Sequence, residues 1–429
     1  MAEKNERQRL KPHRRGTPIE PAAPGKPASR PAAQARPARA RQKKTQLLPV
    51  VIVLAALFVV GCALGIRAAL APAPETPPAL EGPTRVSFVA VGDNLPEIEM
   101  AAYADAQAGE TGDGDYDYTP IYAPIRDYVQ AADLAYVKQE THLGGDDIGP
   151  KGYPSFNTTD QMADALVDAG FDLVGSASNH SYDWGSYGAN EHSRSVWNSK
   201  PVAFAGTASS AQEADELALV EREGITFALL DYTYGVNGYE REDLPDYAVS
   251  FIDRDRIAAD VERAREQADV VLVAMHWGTE NLMEADQTQR EYAQYLADLG
   301  VDVVLGSHPH VIGPVTWLTG EGGNRTLVAY SLGNFTSNHE VKRIRNELEG
   351  MLSCDFVKDD DVSIENVRWT PLVMHTDGTS FAVYALKDYT PELAAAHPGL
   401  AEEADPIAWL RQTSSDVVNA LGDEFPIDM

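Results

Sequence analysis

Apolar residues are spaced along this chain in two ways. Between residues 85 and 340, short continuous apolar runs alternate with stretches in which apolar positions recur at helical spacing. The runs Val86–Val91, Leu134–Val137, Leu173–Ser176, Thr226–Asp231, Val270–Met275, Val303–Leu305 and Leu327–Tyr330 predict strands buried on both faces. The stretches Ile121–Ala131, Asp160–Ala169, Asp253–Gln267 and Gln287–Leu299 predict helices. Strands alternating with helices predict an α/β layer architecture around buried sheets. Beyond about residue 340 the pattern changes. "MLSCDFV", "VSIENVRWTPLVM" and "FAVYAL" predict successive strands, and a helix is expected near Pro406–Leu421. This part, 341–429, completes a second sheet or makes a small lobe. No internal repeat is visible.

The N-terminal part follows neither rhythm. Residues 1–46 are rich in Pro, Ala, Arg and Lys and read as a disordered basic tail. Leu47–Ile66 is twenty residues without a charge. At about 1.5 Å rise per residue such a helix spans ~30 Å, the thickness of a bilayer core. The segment 47–71 is therefore expected to be a transmembrane anchor. "ALA" at Ala69–Ala71 also resembles a signal-peptidase site. Against cleavage stand the following Pro72, the length of the apolar run and the long leader. Residues 72–84 read as a Pro-rich, semi-rigid linker.

Charge sharpens this division. The 429-residue chain has a formal net charge of −30. Residues 1–46 hold 13 basic and 3 acidic residues, so the rest carries 22 basic and 62 acidic ones. The basic tail is expected to stay cytoplasmic and the body to lie outside the membrane. So acidic a body excludes nucleic-acid binding by phosphate neutralisation. It attracts divalent cations, although a solvated acidic surface needs no other purpose than solubility. Of two cysteines, Cys62 lies in the apolar run, so the body has no internal disulfide and Cys354 reads as a small core residue.

Metal-type residues follow the predicted strands one after another, at the strand ends where open α/β sheets place their sites. Asp93 follows the first in "VAVGDN", Glu140 the second in "AYVKQETHLGG", and Asn179 and His180 the third in "GSASNHSYDWG". His276 follows in "HWGTE", and His308 and His310 in "GSHPHV". Any one of them reads equally as a packed or surface residue; the ordered series does not. Imidazoles bind Zn, Mn, Fe or Co, and carboxylates bridge metals. Two metals ~3.5–4 Å apart clamp an in-line displacement at phosphorus, and an imidazole that is not a ligand can protonate the leaving group.

The order of these motifs resembles the capsule-synthesis protein CapA family, which is associated with poly-γ-glutamate production and placed in the calcineurin-like metallophosphoesterase superfamily. The matching residues are Val91–Asp93, Gln139–Glu140, Ser178–Gly185, His276–Glu280, Gly306–Val311 and Tyr330–Phe335, within a domain at 85–340. The resemblance implies a four-layer metallophosphoesterase-like sandwich of two mixed sheets with outer helices. It implies two divalent metal ions (Mn, Fe or Zn). Asp93 and His310 would serve the first metal, Asn179, His276 and His308 the second, and Glu140 would bridge. His180 would be the general acid. The superfamily's Asp-x-His opening is absent, since Leu95 stands two residues after Asp93. Asp183 and Glu280 are candidates to replace the lost ligand or to support the ligands from outside.

Asn334 in "SLGNF" reads as part of the pocket floor or as a substrate contact, and Trp184 and Trp277 as stacking or packing residues. His142, His192, His339 and His375 have no motif around them and read as surface or structural. The leading expectation is a part in assembly, export or attachment of an anionic envelope polymer, with that polymer or its synthase subunits as partners. A secreted phosphoesterase acting on a nucleotide, lipid or glycan phosphate is the alternative, and a non-catalytic scaffold is the third.

Overall fold

The computed structural model describes residues 82–186, 191–338 and 343–429. The tail, the apolar run 47–66, most of the linker and His339 lie outside the described residues. Among the described residues no helix is long and apolar enough to cross a membrane.

The first strands in chain order are β1 (Thr84–Asn94), β2 (Leu134–Gln139), β3 (Leu173–Gly175) and β4 (Ala203–Ala205). Each pairs in parallel with the next. The chain then builds a second sheet from β5 (Ala218–Arg222), β6 (Ile225–Thr233), β7 (Val270–His276), β8 (Val303–Ser307), β9 (Val315–Thr319) and β10 (Arg325–Ala329). Its order is β5-β6-β7-β8-β10-β9, parallel in the middle and antiparallel at both edges. It returns to the first sheet through β11 (Asn334–Thr336), β12 (Leu348–Lys358), β13 (Val362–Thr376) and β14 (Phe381–Ala385). β12 lies antiparallel on β1, so the first sheet runs β14-β13-β12-β1-β2-β3-β4. The C-terminal strands thus form neither a separate lobe nor a second sheet of their own. They extend the sheet that holds the first strand.

The continuous apolar runs have their physical reason in two-sided burial. In β1, Val86, Phe88 and Ala90 join one core, and Val89 and Val91 join another. The first core also takes Phe227 and Leu229 of β6 and Leu272 of β7, so it lies between the sheets. Phe356 of β12 meets Phe227 of β6 at 5.1 Å between ring centroids. The second core packs Met162 and Leu166 of the helix Gln161–Ala169 on the outside of the first sheet. A third packs Ile257 and Leu296, from the helices Arg254–Arg265 and Gln287–Asp298, outside the second sheet.

The helix expected at Ile121–Ala131 is two pieces, Thr119–Tyr122 and Arg126–Gln130. Pro124 lies between them, and a proline inside a helix removes an amide donor and collides with the preceding turn. A helix at Ile98–Ala108 was not expected. It buries only Met100, Ala101 and Ala104, too small an apolar stripe to announce itself.

Two glycines let the strand ends converge. A Cβ on Gly92 would lie 1.9 Å from the Gly333 carbonyl oxygen, and one on Gly306 would lie 2.0 Å from that of Tyr330. Through this close approach β1 leaves β12 after Val91 and takes β11 instead, which sets Asp93 beside Asn334.

Candidate metal centre

The series of strand-end residues meets in one place. Asp93, Glu140 and His276 are fully buried, and Asn179, His308 and His310 are less than a tenth exposed. Asp93, Glu140 and His276 each offer a ligand atom within 4.8 Å of the others, and so do Glu280, His308 and His310. His276 links the residues on the strand ends. Its Nε2 lies 2.8 Å from Asn179 Oδ1 and 3.6 Å from Glu140 Oε1, and its Nδ1 is 3.7 Å from Asp93 Oδ1. Parallel pairing of β7 with β8 sets His276 opposite Ser307, whose Oγ is 2.9 Å from Nδ1.

The two imidazoles of "HPH" sit on strained backbone, with positive φ at His308 (92°) and His310 (56°). Such angles are uncommon outside glycine, and the surroundings hold them here. The His308 amide donates to Asp93 Oδ2 at 2.9 Å. His310 Nδ1 lies 2.8 Å from Asn334 Oδ1, so Asn334 is a buried prop for the imidazole. In this grouping His308 falls with His310 and Glu280, although its ring also stands 4.9 Å from that of His276. Glu280 joins this second group; Asp183 joins neither. Asp183 Oδ2 is bonded to His180 Nδ1 at 2.8 Å and accepts from the Phe156 amide at 2.8 Å.

Electrostatics shows what the cluster lacks. Burial, then the neighbouring Asp93, pushes the Glu140 carboxyl well above the usual carboxylate range, and burial also raises Asp93. Burial, then the charge of His308, holds His276 well below the ordinary imidazole value. Burial, then His310, lowers His308 to about 3. Asp93 Oδ1, both Glu140 oxygens and His308 Nδ1 are buried without a hydrogen-bond partner among the described residues. Buried polar atoms are normally paired, and an unpaired carboxylate is costly. Divalent cations at the two groups would supply the missing partners, and this nitrogen and oxygen donor set suits Mn, Fe or Zn. At His180, burial alone would lower the pKa. The hydrogen bond that His180 Nδ1 donates to Asp183 and the nearby charge of Glu140 outweigh it and raise the value.

Beside the centre lies a recess of about 290 Å³, reached by His180, His310, Leu95, Glu280, Tyr153 and Arg343. Leu95, two residues after Asp93, is buried in the recess wall. Trp277 is a packing residue, 1% exposed with its indole N–H donating to the Tyr330 carbonyl at 3.0 Å. His142 is not at the surface: it is buried, and burial lowers it to about 4. His375 is also buried, bonded to the Tyr389 hydroxyl at 2.7 Å. His192 is half-buried on Asp160 at 2.8 Å. Cys354 is a core residue.

Sequence reasoning missed Lys138, Asp231 and Ser307. Lys138 of β2 and Asp231 of β6 form a fully buried ion pair at 2.6 Å that joins the two sheets. Lys138 Nζ also donates to the Ala177 carbonyl, and Asp231 Oδ2 accepts the Ala177 amide at 2.7 Å. The pair therefore grips the backbone two residues before Asn179. A lysine inside the apolar run "LAYVKQ" was the signal for it.

Comparison with known proteins agrees with the motif order. PGA biosynthesis protein CapA of Bacillus subtilis (strain 168) is 29% identical over 192 residues, 44% of this chain and 48% of that protein. Capsule biosynthesis protein CapA of Bacillus anthracis is 23% identical over 238 residues, 51% of this chain and 56% of that protein. The chain thus spans about half the length of the curated relatives it matches. Among solved structures, a putative 5′-nucleotidase from Staphylococcus aureus aligns with TM-score 0.41 and 12% identity, over 77% of this chain and 58% of that one. The family model for bacterial capsule synthesis protein PGA_cap matches residues 87–339, more than half of the chain, and the chain belongs to that family.

Proposed function

We propose that this chain is a membrane-anchored protein of capsule or poly-γ-glutamate synthesis or export, with a metal-dependent, phosphoesterase-like site on its extracytoplasmic body. The observation that carries the reading is the set of buried carboxylate and imidazole atoms without partners at Asp93, Glu140 and His308. Asp93, Glu140, Asn179, His276, His308 and His310 would hold two divalent ions, with Glu280 standing where a ligand is needed next to the histidine pair. Such ions would polarise a phosphoryl oxygen and activate water for attack.

The chain's own residues supply the rest. Asp183 holds the proton on His180 Nδ1, so Nε2 is the nitrogen left for a leaving group. With Nδ1 engaged by Asp183, a protonated ring can donate from Nε2. Phe156 stands edge-on to the His180 ring at 4.6 Å and shields it from water. The layered arrangement of two facing sheets with helices outside supports the four-layer metallophosphoesterase-like reading. The apolar run 47–66 and the basic tail support a single-pass anchor with the body outside.

One experiment in cells tests both halves of this reading. Asp93→Asn/Glu140→Gln protein replaces the wild type in the host. Protease added to intact protoplasts should remove the body of both proteins and leave a small membrane-bound N-terminal fragment. Surface polymer should be lost only in the variant. Protection of the body would sink the topology; full polymer with the variant would favour a scaffold whose pocket keeps its shape without its chemistry.

A further inference from the structure

Four large aromatic side chains stand exposed among the described residues: Tyr153 (80%), Tyr234 (52%), Tyr239 (43%) and Trp184 (37%). All four trace back to the metal centre. Tyr153 meets Phe156 at 6.4 Å, and Phe156 meets His180. The Trp184 indole N–H donates to the Phe156 carbonyl at 3.0 Å. Tyr234 leans on His308 at 4.8 Å, and Tyr239 packs on Tyr182, two residues beyond His180. Of the four, Tyr153 is the one that lines the recess beside the centre, and it is also the most exposed.

The recess beside these rings is larger than a phosphate needs. Its volume of about 290 Å³ lies at the lower end of small-ligand pockets, which run from about 300 to 1,000 Å³. Its walls are mixed. Tyr153 offers an exposed ring, Asn281 a side-chain amide whose oxygen accepts from Asn346, and Glu97 a carboxylate that accepts the Asn338 amide. Among the described residues Arg343 is the sole lysine or arginine on the wall, and it is exposed there without an ion-pair partner. Aromatic faces with amides and carboxylates suit the alternating apolar faces and hydroxyls of a saccharide. A single guanidinium suits one acidic substituent.

We propose that the recess binds a sugar ring bearing one acidic substituent, placed next to the phosphoryl group at the centre. Tyr153 stacks on the ring and Arg343 pairs with the acidic group. This rests on the reading of the centre given above. Neither residue belongs to the proposed ligand set.

The test is equilibrium binding by calorimetry to the detergent-solubilised full chain loaded with Mn²⁺. The probes are glucuronic acid 1-phosphate, glucose 1-phosphate, glycerol 3-phosphate and a γ-linked glutamate trimer. Glucuronic acid 1-phosphate should bind most tightly. Tyr153→Ala should weaken both sugar phosphates about tenfold and leave glycerol 3-phosphate unchanged. Arg343→Gln should weaken only the glucuronic acid compound, also about tenfold. Equal binding of the three phosphates, or tightest binding of the glutamate trimer with no effect of Tyr153→Ala, would overturn the proposal. If the sugar pattern and its dependence on both residues persist in protein that holds no metal, the recess stands and the reading of the centre falls.

Discussion

His180→Ala is expected to keep its bound metal and to lose about 10²–10⁴-fold of turnover toward alkyl phosphates. The two roles separate because of where the side chains point. Asn179 Oδ1 faces His276 Nε2 inside the cluster, whereas the His180 ring turns to Asp183 and the recess. A ligand change should lower metal occupancy; loss of the proton donor should not. The deficit should depend on the leaving group, since an aryl oxide departs with little protonation and an alkoxide does not. Steady-state rates on an aryl and an alkyl phosphate, with metal content measured on the same samples, check this. Equal losses on both substrates, or loss of metal, would remove His180 from the acid role. In cells the same variant should fail to support polymer formation.

Lys138→Met is expected to destabilise the fold by about 3–5 kcal/mol, because it leaves Asp231 charged and unpaired in the interior. Both side chains are fully buried. The variant also removes the donor to the Ala177 carbonyl, two residues before Asn179, and leaves only the Asp231 bond to the Ala177 amide, so metal affinity should fall with stability. Removing both charges, in Lys138→Met/Asp231→Leu, should recover a large part of the stability, since an apolar pair of similar volume replaces a buried ion pair at little cost. It should not recover the metal affinity, because both hydrogen bonds to Ala177 are then lost. Denaturant unfolding of the three proteins, analysed as a double-mutant cycle, measures the coupling. A loss below about 1 kcal/mol in the single variant would show that the pair is not the clamp inferred from its geometry.

The central strands were legible in the sequence for a physical reason. β1, β2, β6, β7 and β8 are buried on both faces, so their apolar runs are continuous. β4, β5 and β9 were not legible. They are edge strands of three to five residues with half-exposed positions, and their place depends on the sheet beside them. The helix Gln287–Asp298 was readable from its apolar face, and the structure adds a capping box between Asp286 and Gln289. Which sheet the C-terminal strands join was not readable, since β12 finds β1 across more than 250 residues of chain.

The site follows the same division. Asp93, Glu140, Asn179, His276, His308 and His310 were visible because each stands where a strand ends. Their grouping was not, because it depends on the left-handed turns at His308 and His310 and on the bond from Asn334. Asp183 and Glu280 were equal candidates in the sequence, and only the fold brings Glu280 to the histidine pair and Asp183 to His180. Arg343 carries no sequence signal at all; it matters because the helix-like turn Ile344–Asn346 sets it on the recess wall.

The most direct test of the account is metal analysis of the purified full chain, with the melting temperature read before and after chelation. A cation that binds only the folded protein stabilises it by mass action. The wild type should carry tightly bound Mn, Fe or Zn and lose several degrees of melting temperature on chelation. His308→Ala should carry less metal and show a much smaller shift. A wild-type protein free of divalent transition metal, or equal chelator shifts in the two proteins, would contradict the metal centre.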